Sequence, residues 1–380
     1  FSLLNFLFFN YKIKKIIGIT SNKYIPIILL SIPSFIALFS TISPYPIAIF
    51  FTTLSIIFHG IGFNQVSRNK YNYKLLNIIT STTVSGVFAG ITMNFRSDFA
   101  TFFLLMPILS SLIILTWFNF KLFAKKLLFK LILIFISFYF PLFLIMTPWM
   151  NYTKSITNEP LLTSTNKGHV LFIGLGQLPN NKWGIKAMDS NPVEEQFLKE
   201  NGINDPLGLN YEGDKLLTSK FISLIKKDPF EYTKKVLFGI LRVSFGGIYI
   251  PEFFHIPSCN SISYYECRDI AKKVFYNFNY FFKLDINFQL RLLFSGISFF
   301  MSSGIVLLGL IALPKFLIDS WNQKSILLLL AGFAVMYQSA IGIFALHMPL
   351  YMSNVYFFIV IILSNTFSKT ISKKSFLKNT

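Results

Sequence analysis

Apolar stretches of roughly 16 to 26 residues alternate with short lysine-rich connectors along most of the chain. One polar run of about 140 residues, Trp149–Asp285, interrupts them. Stretches of that length suit helices crossing the ~30 Å hydrocarbon layer of a bilayer. The pattern predicts spans at residues 24–40, 45–60, 75–94, 99–117, 127–148, 288–313, 325–345 and 350–365. The first apolar run, Phe1–Phe9, is too short to cross alone and reads as the tail of a helix that begins upstream. A signal peptide is the alternative, but the run lacks a basic start and a small-residue cleavage site. The expected fold is an all-α polytopic membrane protein of about eight transmembrane helices plus an N-terminal remnant, with one large, mostly helical outer loop. Residues 1–148 hold the remnant and five spans, 149–287 the loop domain with interfacial helices, 288–366 three spans, and 367–380 a basic cytoplasmic tail.

Within the loop, Asp214–Lys227 sets Leu217, Phe221, Leu224 and Ile225 at helical spacing, with Lys215, Lys220, Lys226 and Lys227 on other faces. That suits a helix in the headgroup layer, and equally an ordinary helix of a small soluble domain. Asp228 followed by Pro229 reads as an N-cap with proline at the first helical position, opening a second helix through Leu241. Cys259 and Cys267 are the chain's two cysteines and share this outer segment. A disulfide and two buried thiols are both open, and neither makes them catalytic.

Composition agrees with a lipid environment: 53% hydrophobic residues, 46 phenylalanines and 13% charged residues. The net charge of +19 alone would suggest nucleic acid. Its distribution says otherwise, because the basic residues crowd the connectors (Lys12–Lys23, Arg68–Lys74, Lys121–Lys126) and the tail. With these placed in the cytoplasm, Phe95–Asp98, the long segment and His347 all fall outside, which is the positive-inside bias. No nucleic-acid-binding motif accompanies the charge.

Three outward-facing clusters carry candidate chemistry. The first is Asn94–Asp98, where Arg96 either snorkels beside Asp98 or offers a planar fork to a phosphate. The second runs from Trp149 through Lys154, Ser164–His169, Gly174 and Gly176 to Asp189; its two glycines do not form a nucleotide loop. The third is His347–Tyr356, where His347 and Tyr351 either hydrogen-bond a ligand or shape an aromatic-belted turn.

The order of these elements resembles the bacterial relatives of protein O-mannosyltransferases and of the lipid A aminoarabinose transferase. These GT-C glycosyltransferases use polyprenyl-phosphate-linked sugars. Gly90–Asp98 resembles the family's glycine-rich span end with its arginine and acid. Pro148–Asn151, Ser164–Gly168 and Gly174–Gly176 resemble the Pro-Trp span end and the loop after it. Asp228–Tyr232 and His347–Tyr351 are similar to the later helix and turn. The arginine that follows the family's Pro-Trp is absent, so Lys154 or Lys167 would supply that charge.

The resemblance implies a GT-C-like bundle in the bacterial inner membrane, active on the periplasmic face. Arg96, Lys167 and Lys154 would hold the donor phosphate, and His169, His347 and Tyr351 the acceptor or sugar. The family's catalytic carboxylate sits in the first outer loop, which is expected upstream of Phe1; Asp98 and Asp189 are the remaining candidates. The implied partners are membrane lipid, a lipid-linked sugar donor and a glycan, lipid or protein acceptor, with a divalent metal as an open cofactor. An O-antigen polymerase or ligase, a lipid-linked sugar transporter or flippase, and a non-catalytic scaffold are the competing readings. The transporter requires polar residues through the middle of the spans, whereas these spans are nearly pure Phe, Leu, Ile and Ser.

Overall fold

A computed structural model describes residues 44–67, 75–117, 124–189, 191–245, 273–274, 276–346, 352 and 355–367. The expected span at 24–40, the run Phe1–Phe9, both cysteines, His347 and Tyr351 lie outside the described residues. Among the described residues every regular element is helical and no strand occurs. Among the described residues six helices are long and apolar enough to cross a membrane: α1 (Pro44–Ser67), α2 (Leu75–Phe95), α3 (Ala100–Trp117, entered by a 3-10 turn at Ser97–Phe99), α4 (Ala124–Thr157), α9 (Ile286–Asn322) and α10 (Ile326–Phe344). Between α4 and α9 come α5 (Lys167–Leu175), α6 (Pro192–Glu200), α7 (Tyr211–Lys227) and α8 (Pro229–Phe245). A shorter apolar helix, α11 (Val355–Phe367), covers part of the last expected span. The chain is an all-α, multi-pass membrane protein.

Lipid tails are as apolar as leucine, so the spans need close backbone approach and hydrogen bonds to hold together. The small face of α2 supplies both. A Cβ on Gly86 would lie 2.2 Å from the Phe138 carbonyl oxygen of α4, and one on Gly90 would lie 2.8 Å from Ile145. Toward α1, the Ser55 hydroxyl donates to the Ser85 carbonyl at 3.0 Å and Ser85 returns the bond to Ser55 at 2.7 Å. Gly60 of α1 abuts Leu327 of α10, and the Asn64 side-chain oxygen accepts the Ile326 N–H at 3.3 Å.

Two span ends differ from the pattern-based expectation. The polar segment was expected to begin at Trp149, yet α4 continues through Pro148 to Thr157. Proline is tolerated inside a spanning helix, where it does not by itself end the helix. The helix stops at Asn158, whose φ of 59° is a left-handed stop that asparagine tolerates. Likewise α9 runs through Pro314 and Lys315 to Asn322, leaving only residues 323–325 as a connector. An exposed lysine stem can lie along an apolar helix while its charge reaches water.

The segment between α4 and α9 packs a core of its own, built from Phe172, Ile173, Leu175, Leu198, Leu217 and Phe221, with Leu346 joining from beyond α10. Leu217 and Phe221 of α7 are buried there against α5. The stripe that suited a headgroup-layer helix therefore faces protein, which makes α7 an ordinary domain helix. Asp228 does cap α8, its carboxylate accepting the Glu231 N–H at 3.0 Å.

Candidate functional site

α2 ends at Phe95, and the next residues turn sharply into the 3-10 helix that opens α3. The Asn94 amide holds that end against α4 by donating to the Met146 sulfur at 3.3 Å and the Ile145 carbonyl at 3.4 Å. Tyr337 of α10 donates its hydroxyl to the Asp98 carbonyl at 2.7 Å, fixing the turn from the other side. The loop after α4 folds back over this corner: the Thr153 hydroxyl accepts the Leu161 N–H at 2.9 Å, and the Ser97 and Ser164 hydroxyls meet at 3.2 Å. Ser164 also donates to the Asn166 side chain at 2.7 Å.

The result is a cavity of about 260 Å³ lined by residues 93–98, Trp149, 162–164 and Asn166. It lies just below the ~300–1,000 Å³ of typical small-molecule sites, which is room for one polar headgroup. Arg96 is the cation of the lining and Asp98 its carboxylate. The guanidinium pairs with Asp98 and lies 4.1 Å from the centre of the Tyr45 ring. Its side chain keeps 15% of its surface exposed, so an anion in the cavity can reach it. Stacking and ion pairing hold the fork in one orientation, the prerequisite for bidentate recognition of a phosphate or carboxylate.

The structure thus brings the first cluster together with the start of the second. It does not gather all the sequence-derived candidates. Lys154 and Lys167 are exposed and do not line the cavity. His169 is buried elsewhere, with Nδ1 2.7 Å from Glu194 Oε1 and Nε2 3.4 Å from Asp189 Oδ1. This group ties α5 to α6. Asn191, not Asp189, caps α6, accepting the Val193 N–H at 3.1 Å. Burial disfavours the His169 imidazolium, but the hydrogen bond and charge of Glu194, reinforced by Asp189, outweigh it and raise the pKa. Burial also pushes the Glu194 carboxyl upward, against the pull of His169.

Tyr45, Tyr337 and Glu194 are contributors that sequence reading missed. Tyr45 follows a proline at a span entrance, a position that reads as an ordinary interfacial anchor. Tyr337 sits inside a predominantly apolar spanning helix, and Glu194 shares a first helical turn with Glu195. No group of three or more His, Cys, Asp or Glu side chains able to hold a metal exists among the described residues. Compared with known proteins, the chain matches no family model, no curated protein and no solved structure.

Proposed function

We propose that the protein is a GT-C-type membrane glycosyltransferase of the bacterial inner membrane. It would move a sugar from a polyprenyl-phosphate donor to a lipid, glycan or protein acceptor on the periplasmic face. The observation that carries this reading is the meeting of Arg96 and Asp98 with Trp149, Ser164 and Asn166 in one small cavity at the end of the spans. A lipid-linked donor stays anchored in the bilayer, so its phosphate stands at that depth. As the bond from the anomeric carbon to phosphate oxygen breaks, negative charge grows on the phosphate. A pre-oriented guanidinium stabilises that charge most in the transition state. Asp98 holds the fork of Arg96 in place, a positioning role. The carboxylate that takes the acceptor's proton belongs, by the resemblance, to the family's first outer loop.

The test is Arg96→Ala in the intact protein, assayed in membranes with a labelled polyprenyl-phosphate sugar. Transfer falls by about 10²–10³-fold, the cost of removing one such stabilising donor, while membrane insertion and protein amount stay unchanged. Undiminished transfer by the variant removes Arg96 from the site, and no transfer by the unaltered protein removes the reading.

A lipid-linked sugar transporter is the second reading, and buried polar groups within the spans favour it. His59 Nε2 lies 3.2 Å from the Ser110 hydroxyl. Both amide atoms of buried Gln338 are without a hydrogen-bond partner among the described residues. Translocation of intact donor across proteoliposomes, with no new glycosidic bond, would decide for it.

A further inference from the structure

α8 reverses the usual polarity of a surface helix. Its buried face is Glu231, Lys235, Gly239 and Val243, two of them charged. Leu237, Leu241 and Phe245 are 59%, 55% and 55% exposed. At 3.6 residues per turn, the exposed apolar set lies about half a turn from the buried one. A helix flanked by water places these faces the other way round, and contiguous exposed apolar surface marks a contact.

The buried face is fixed at a definite height. Tyr232 donates to the Phe344 carbonyl at 3.0 Å, and the Lys235 ammonium to the Ile343 and Ala345 carbonyls at 2.9 and 2.5 Å. A Cβ on Gly239 would lie 2.7 Å from the Ile343 carbonyl oxygen. Further along, the Phe245 carbonyl accepts from the Ser303 hydroxyl of α9 at 3.0 Å. Ala345 follows the start of α10 by about 28 Å of rise, and Ser303 precedes the end of α9 by the same ~28 Å. The two attachments therefore stand level, one hydrocarbon thickness above the α9–α10 turn. Gly239 and Phe245 are ~9 Å apart along α8, the ~8–10 Å that separates neighbouring helix axes. α8 thus crosses α10 and α9 side by side, parallel to the membrane plane.

The space directly beyond α10 is occupied, because Gly174 of α5 abuts Ala345 and Leu346 belongs to the loop-domain core. α8 consequently flanks the spans, and its outer face points sideways, continuous with their lipid-facing surface. Exposed Lys226 and Lys227 precede it and Lys234 and Arg242 lie along it, at the height of lipid phosphates.

From this geometry we infer that α8 is an in-plane helix of the outer leaflet. Leu237, Leu241 and Phe245 bed among the first acyl carbons of phospholipid, and the inference does not depend on the reaction catalysed. The test is photolabelling in nanodiscs holding one copy each, using phosphatidylcholine with a diazirine either near the glycerol or at the chain end. Peptides from residues 229–245 take up the shallow probe to the extent that the span ends do, the deep probe marks only the spans, and residues 211–227 stay unlabelled. Spans labelled by both probes with residues 229–245 unlabelled would overturn the inference, as would equal labelling of α7 and α8 or deep-probe labelling of α8.

Discussion

His169 and Glu194 show what one buried pair contributes. Truncating His169 to alanine strands Glu194, whose relative exposure is 0%. An unpaired charge in such a place costs about 3–5 kcal/mol, which thermal unfolding of His169→Ala should register. The pH dependence has a definite sign. The His169 pKa is raised in the folded state, so its stabilisation is complete below the ordinary histidine value and is lost as pH rises through the raised one. Hydrogen exchange in α6 should accelerate across that window in the wild type and lose the dependence in His169→Gln. Lys235 behaves oppositely. Burial, then the charge of Arg242, pushes its pKa down to about 7. The unfolded chain binds the extra proton between there and the ordinary lysine range, so this residue's contribution to stability rises with pH. Protection in α8 should increase over that interval and flatten in Lys235→Met. Arg96 could be singled out from sequence because a cation beside an acid at a span end is locally conspicuous. The His169–Glu194 pair could not, because no periodicity links positions 25 residues apart.

At the scale of elements, small residues set the joints. Gly239→Val places new atoms against the Ile343 carbonyl and should cost about 1–3 kcal/mol as α8 is forced off α10. Asp228→Ala removes the cap of α8 and should cost about 1 kcal/mol. Thermal unfolding of each variant in the same detergent checks both. Most spans were legible as elements, since a run of twenty apolar residues has few other fates. Their ends were less so. A proline and a tryptophan at 148–149 look like a boundary, but α4 continues through them to Thr157. The role of α7 stays open in the sequence for a related reason: an amphipathic stripe fits a headgroup layer and a small protein core, and only the partner distinguishes them.

For the molecule as a whole, the six described spans alternate so that the Arg96 cavity and the α5–α8 domain share one side, and the Trp117 end of α3, the Ala124 end of α4 and the 323–325 connector share the other. With Cys259 and Cys267 replaced by serine, a cysteine at Glu159 should react with an impermeant maleimide from outside the cell. One at Lys324 should react only after permeabilisation, and the reverse pattern would invert the topology. The contact of Gly86 with Phe138 reaches further than stability. It locks the helix that leads into Arg96 to the helix that carries Trp149, leaving no side chain between them to repack. Two walls of the cavity are thereby withdrawn from easy variation, whereas the third, residues 162–166, is a surface loop held by hydroxyl contacts. In a lineage or a laboratory selection, new ligand preferences would accumulate in that loop first, with the anion-binding corner inherited unchanged.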